Sequence, residues 1–187
     1  MDYKKYLKSL RFFIILSLII FSLAIVQGYQ TAQDAPQEIE KLIREFEGIY
    51  QPILKAHPLI QFPFIFFNNS LTVFLTIILA VIFGLFPFLV LLVNGLILGV
   101  FISVWDLPWL TFLKGILPHG LVEIPVLLIA AAIGLKIGQT AFRKVFRKEG
   151  RLKPELSQAL NFFLKILLPL LALAALLEVF VTPLLFK

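Results

Sequence analysis

The chain reads as an all-α polytopic membrane protein, a helix bundle of about five transmembrane helices with one extracytoplasmic amphipathic helix. Three observations predict this class. Hydrophobic residues make up 60% of the 187-residue chain, and mean hydropathy is +0.97, well above the composition of an ordinary soluble domain. The apolar residues fall into runs long enough to cross the roughly 30 Å hydrocarbon core of a bilayer. The basic residues gather in two short segments, and five of the eleven acidic ones lie in a single polar stretch, a distribution that reads as topology. The absence of cysteine excludes a disulfide framework, a thiolate nucleophile and a thiolate metal site. The net charge of +6 comes with no aromatic stacking platform, so no nucleic-acid partner is expected.

A first transmembrane helix is expected over 10–27, behind Lys4, Lys5, Lys8 and Arg11. No small-x-small cleavage site follows it, so it reads as an uncleaved span with a cytoplasmic N-terminus. An amphipathic helix follows over 36–60. Ile39, Leu42, Ile43, Phe46, Ile49 and Tyr50 recur at helical spacing, while Glu38, Glu40, Glu45 and Glu47 outweigh Lys41 and Arg44. It is expected to lie against the outer membrane surface or to pack over the bundle, with Pro52, Pro58 and Pro63 breaking the chain. His57, ahead of Pro58, reads as a solvated or locally bonded loop residue.

The long apolar run from Leu71 to Trp105 divides at Pro87 into two short spans, 69–86 and 88–104, with Asn69 at the first N-terminus. Asn69, Thr72, Thr76, Ala80 and Gly84 share one face, and Gly95 and Gly99 give the next helix a small-xxx-small seam. Trp105, Asp106 and Trp109 mark an interface. Residues 107–117 read as a short interfacial or re-entrant helix. The span 118–138 starts with Pro118 in its first turn and carries His119 and Glu123 four residues apart. Ala130, Gly134 and Gly138 add another close-packing seam. A basic cytoplasmic loop is expected over 139–158, with Arg143, Lys144, Arg147, Lys148, Arg151 and Lys153. A last span covers 160–185, with Lys165 free to snorkel and Pro169 able to kink it.

Five spans place both basic segments in the cytoplasm and the acidic helix and Lys187 outside, in a multi-pass plasma-membrane protein. The same topology sends Asn68, Asn69, His119, Glu123 and Glu178 toward the outer leaflet. Ionisable residues inside a span are costly and face the bundle interior, so these five are expected to converge on one outer polar site. Three chemistries suit it. His119, Glu123 and Glu178 can hold a divalent metal ion. A protonated carboxylate can carry protons in a transporter. An Asn–His–Glu network can simply fix helix register. No residue is assigned a catalytic role, because Ser70 and Ser103 have no identifiable base and no glycine-rich phosphate loop exists.

The stretches FFNNSLTVFLTIILAVIFGLFPFLVLLVNGLILG and LKGILPHGLVEIPVLLIAAAIGLKIG resemble the stage II sporulation protein M family of integral membrane proteins. The Asn68–Asn69 pair, Asn94–Gly95 and the PHGLVE segment Pro118–Glu123 carry the resemblance. In spore formers that family is implicated in engulfment, as a membrane anchor for peptidoglycan-degrading partners. The resemblance implies a membrane scaffold or assembly factor and no catalytic residue. Membrane lipid and either a second copy or another membrane protein are the expected partners, through the small-residue seams. A transporter or lipid-handling protein using the outer polar site is the alternative, and a metal-dependent membrane enzyme the third.

Overall fold

A computed structural model describes residues 2–105 and 108–186, less the side chains of residues 47, 49, 54 and 186. The interface residue Asp106 and the C-terminal Lys187 lie outside the described residues. Among the described residues the fold is all-α, without strands.

Helix α1 runs Tyr3–Asp34, 32 residues, with Asp2 accepting a hydrogen bond from the Lys5 N–H at 3.0 Å. It outruns the expected 10–27 at both ends because no helix breaker intervenes before Pro36. The residue preceding a proline is pushed out of the helical region, and Ala35 sits at φ −133°, ψ 59°. Pro36 then opens α2, Pro36–Leu54, from the first helical position, where its missing N–H is harmless.

Helix α3, Pro58–Ile78, starts eleven residues before the expected 69. His57 is its N-cap, accepting from the Leu59 N–H through Nδ1 at 3.3 Å. Pro52 lies within α2 and Pro63 within α3, so neither acts as the expected break; the break falls at 55–57, directly ahead of Pro58, which opens α3, and Asn69 is mid-helix and not a cap. A 3₁₀ turn, Leu79–Val81, leads to a reversal at Phe83 and Gly84, with φ 51° and 78°. That left-handed pair turns the chain, favoured by the missing side chain of Gly84. Pro87, the expected break, instead occupies the first turn of α4, Leu85–Ser103, where no N–H is required of it.

Helix α5, Trp109–Arg147, is one continuous helix of 39 residues, about 58 Å at 1.5 Å per residue. It absorbs residues 109–117 of the expected separate helix and the first part of the expected loop at 139–158. Pro118 and Pro125 are interior to it. A proline removes one intrahelical bond, which neighbouring helices compensate in membrane bundles. Lys148 at φ 56° and Gly150 at φ 96° end it. The last helical run comprises α6, Leu152–Phe162, a π turn at Phe163–Leu167, α7, Leu168–Leu176, a second π turn at Leu177–Val181 and a 3₁₀ turn at Thr182–Phe186. Each π turn lies just ahead of a proline, Pro169 or Pro183. The ring clashes with the carbonyl four residues back and widens the turn. The N–H groups of Leu168 and Thr182 accordingly bond to the Phe163 and Leu177 carbonyls, five residues back.

Five helical runs are long and apolar enough to cross a membrane: Tyr3–Asp34, Pro58–Val81, Leu85–Ser103, Trp109–Phe146 and Leu152–Leu185. Helix α5 is their hub. Half of its most apolar window is buried, against 28% for each of the others. It touches α1, α4, α3 and α7, while α1 and α4 form the most extensive pair. That pair closes on glycine: a Cβ at Gly28 would overlap the Leu96 backbone, one at Gly95 would meet Ala24, and one at Gly99 would overlap the Ile25 carbonyl. On α5, Gly134 faces Pro87 and the Thr76 carbonyl, Gly138 faces Gly84, and Ala130 is fully buried. These seams are therefore filled within one chain. Outward, large apolar side chains such as Phe12, Ile15 and Leu23 are more than half exposed, as suits a lipid-facing surface.

Candidate cation-binding site at one end of the bundle

Helix geometry puts His119 and Glu123 one turn apart on the same face of α5. The second π turn brings Glu178 to meet them. One nitrogen of His119 and one carboxylate oxygen from each glutamate lie within 4.8 Å of one another. All three residues are half-buried. Asn68 and Asn69 of α3 line the same chamber, of about 290 Å³. The Asn68 amide donates to Asn69 Oδ1 at 3.4 Å, and the Asn68 backbone carbonyl accepts from the Thr72 hydroxyl at 3.0 Å. Every residue expected at the outer site thus borders one cavity.

The charge arrangement is unbalanced. Two carboxylates face each other, and no lysine or arginine lines the chamber. Among the described residues neither glutamate has an ion pair, and His119 Nδ1 is buried without a hydrogen-bond partner. Buried charge without compensation is expensive. A divalent cation on two glutamates and a neutral imidazole would bring the net charge to zero. Ions such as zinc bind nitrogen and carboxylate oxygen at about 2.0–2.2 Å, which sets donor–donor separations near 3.4 Å in a tetrahedral site. Coordination would therefore require these side chains to draw closer than the 4.8 Å within which their donor atoms now lie. Three protein donors would leave a coordination position open, and Asn68 and Asn69 line the same chamber. With all three titratable groups committed to an ion, the chamber retains no carboxylate or imidazole as a general base.

The sequence allows the amphipathic helix to pack over the bundle but does not name the residues that roof the chamber. Tyr50 and Ile53 of α2, with Phe64 and Ile65 from the early turns of α3, complete the lining. Tyr50 ends the apolar stripe of α2, but a stripe does not say what it covers. Pro183 was the available signal for the π turn that carries Glu178.

The family Stage II sporulation protein M matches this chain over residues 12–183, which includes all five converging residues. An uncharacterized protein of Methanocaldococcus jannaschii is 32% identical over 176 residues, covering 91% of this chain and 93% of that one. No solved structure matches. With its five helices of membrane-spanning length and composition and a family match across nearly its whole length, this chain is a membrane protein and belongs to the stage II sporulation protein M family.

Proposed function

We propose that this chain is a membrane assembly factor whose shape is set by a divalent cation at His119, Glu123 and Glu178. The observation that carries the reading is the convergence of three metal-ligand side chains, from two separate helical runs, within 4.8 Å and without a basic residue among them. An ion there ties α5, the hub, to the last helical run at the end where that run is least regular. Such a clamp fixes a surface for partners and requires no turnover. Family membership favours an anchoring role over transport. Because the glycine seams close within the chain, partners or further copies would meet its outward apolar faces.

The same proposal sets the chain in the plasma membrane with its N-terminus cytoplasmic and its C-terminus outside. Support comes from charge. Lys136 lies 3.4 Å from Ser9 and 3.2 Å from Glu155, so the start of α1 and the α5–α6 connection share one end. The two basic segments therefore coincide there, as a cytoplasmic face requires.

Elemental analysis of the detergent-purified protein tests the cation. One equivalent of zinc, manganese or iron is expected, lost in folded Glu123→Gln and Glu178→Gln variants. No ion after incubation with a panel of divalent metals would remove the clamp. Cross-linking in membranes tests the assembly role, which predicts a partner or second copy in fixed ratio; a monomeric, partner-free chain in native membranes counts against it.

A further inference from the structure

Tyr50 stands in the wall of two cavities. One is the polar chamber just described. The other is a crevice of about 380 Å³ between α2 and α4, walled by Leu42 and Phe46 on one side and Leu96, Val100 and Phe101 on the other. The rest of its lining is isoleucine, so the Tyr50 hydroxyl is its one polar side-chain group. The rings of Phe46 and Tyr50 stack with centroids 6.3 Å apart and form a continuous aromatic wall from crevice to chamber.

The apolar stripe of α2 is left largely uncovered, with Leu42 48% and Phe46 53% exposed. In a chain that crosses a membrane, such a stripe seeks hydrocarbon. The crevice meets that need with a slot, and the adjoining chamber offers a polar end-point. Each cavity lies near the lower end of the range for small-molecule sites. A bare phosphate would be repelled by Glu123 and Glu178. A divalent cation would cancel that charge and leave a coordination position open to a phosphate oxygen. We propose that this crevice holds one hydrocarbon chain of a bilayer phospholipid, whose phosphate completes the coordination of the ion at His119, Glu123 and Glu178. The phosphate contact rests on the cation reading above; occupancy of the crevice does not.

The test uses the full chain in phosphatidylcholine vesicles containing a trace of phosphatidylglycerol with a photoreactive diazirine in its acyl chain. A fatty alcohol with the same diazirine chain is the comparison. After irradiation, mass spectrometry of peptides locates the label, and metal content is measured on the same samples. Labelling of residues 39–50 and 96–101 at least about fivefold above the outward-facing Phe12 and Ile15 of α1 is expected. The fatty alcohol should show no such enrichment. Ile97→Trp fills the crevice from an exposed position and should bring its labelling down to the level of α1. If that variant fails to fold, the pattern in the unaltered chain remains decisive. Uniform labelling with metal retained overturns the lipid proposal and leaves the cation reading standing. Crevice enrichment with no metal in any sample overturns the phosphate contact together with the cation reading. Bismaleimide linking of two chains through Ile97→Cys would overturn lipid occupancy in favour of a second copy.

Discussion

Substituting Gly99 by alanine tests whether α1 and α4 meet where the glycines place them. A Cβ at Gly99 would lie 2.8 Å from the Tyr29 nitrogen and closer still to the Ile25 carbonyl oxygen. Both are backbone atoms and cannot rotate away, so the helices must part by about 1 Å, a displacement that forfeits a quarter to a half of each dispersion contact it affects. In lipid no hydrophobic driving force holds two helices together, so packing is the principal attraction being lost. Overpacking typically costs about 1–3 kcal/mol, and a rigid backbone clash puts Gly99→Ala in the upper part, at about 2–3 kcal/mol. For a chain of this length each kcal/mol moves Tm by about 2–4 °C, so a fall of about 4–12 °C is expected. Intrinsic fluorescence reads the transition, since Trp105 packs on Phe101 of α4 and Phe112 of α5 at 5.5 and 5.3 Å. Gly48→Ala is the control: nothing lies within 4 Å of its added Cβ, and alanine in an exposed helix gains about 0.5–1 kcal/mol. If Gly99→Ala melts within about 1 °C of the unaltered protein, the close approach of α1 and α4 is refuted.

Lys136→Ala should destabilise by about 1–2 kcal/mol, between the values for exposed and buried pairs, because it strands the part-buried Glu155; thermal melts beside Glu155→Gln measure it. The cysteine-free chain allows single-cysteine labelling, and Glu45→Cys and Arg151→Cys should react with an impermeant maleimide from opposite sides of the membrane. Labelling from the same side would overturn the topology. Metal bound at His119, Glu123 and Glu178 should be released on acidification, since its ligands bind deprotonated; equilibrium dialysis across a pH series reads it, and occupancy unchanged in acid would count against these ligands. Pro183→Ala should let the second π turn relax toward α-helix and rotate Glu178 away from Glu123, lowering metal occupancy without unfolding the chain; occupancy equal to the unaltered protein would show that the proline does not set the position of Glu178.

What the sequence disclosed depended on how local the controlling physics is. Span-length hydropathy separates the runs because burial in lipid acts on every residue of a segment, so five crossings were legible. Their ends were not. Proline has opposite effects by position: Pro36 and Pro58 open helices, Pro87 is harmless in a first turn, and Pro118 and Pro125 are carried inside α5 by its packed neighbours. Composition alone does not separate these cases. The reversal at Phe83–Gly84 was hidden because a left-handed phenylalanine has no sequence signature. His119, Glu123 and Glu178 stood out for the reason that makes them costly, an ionisable group amid apolar residues. Tyr50 did not, because an amphipathic helix ends in a tyrosine as readily on a surface as over a chamber. Its role follows from the length of α3. Once Pro58 opens that helix, more than two turns before Asn69, α2 is carried over the end of the bundle rather than away from it. The placement of a proline thus decides whether the polar residues form an open mouth or a roofed chamber with an apolar crevice beside it.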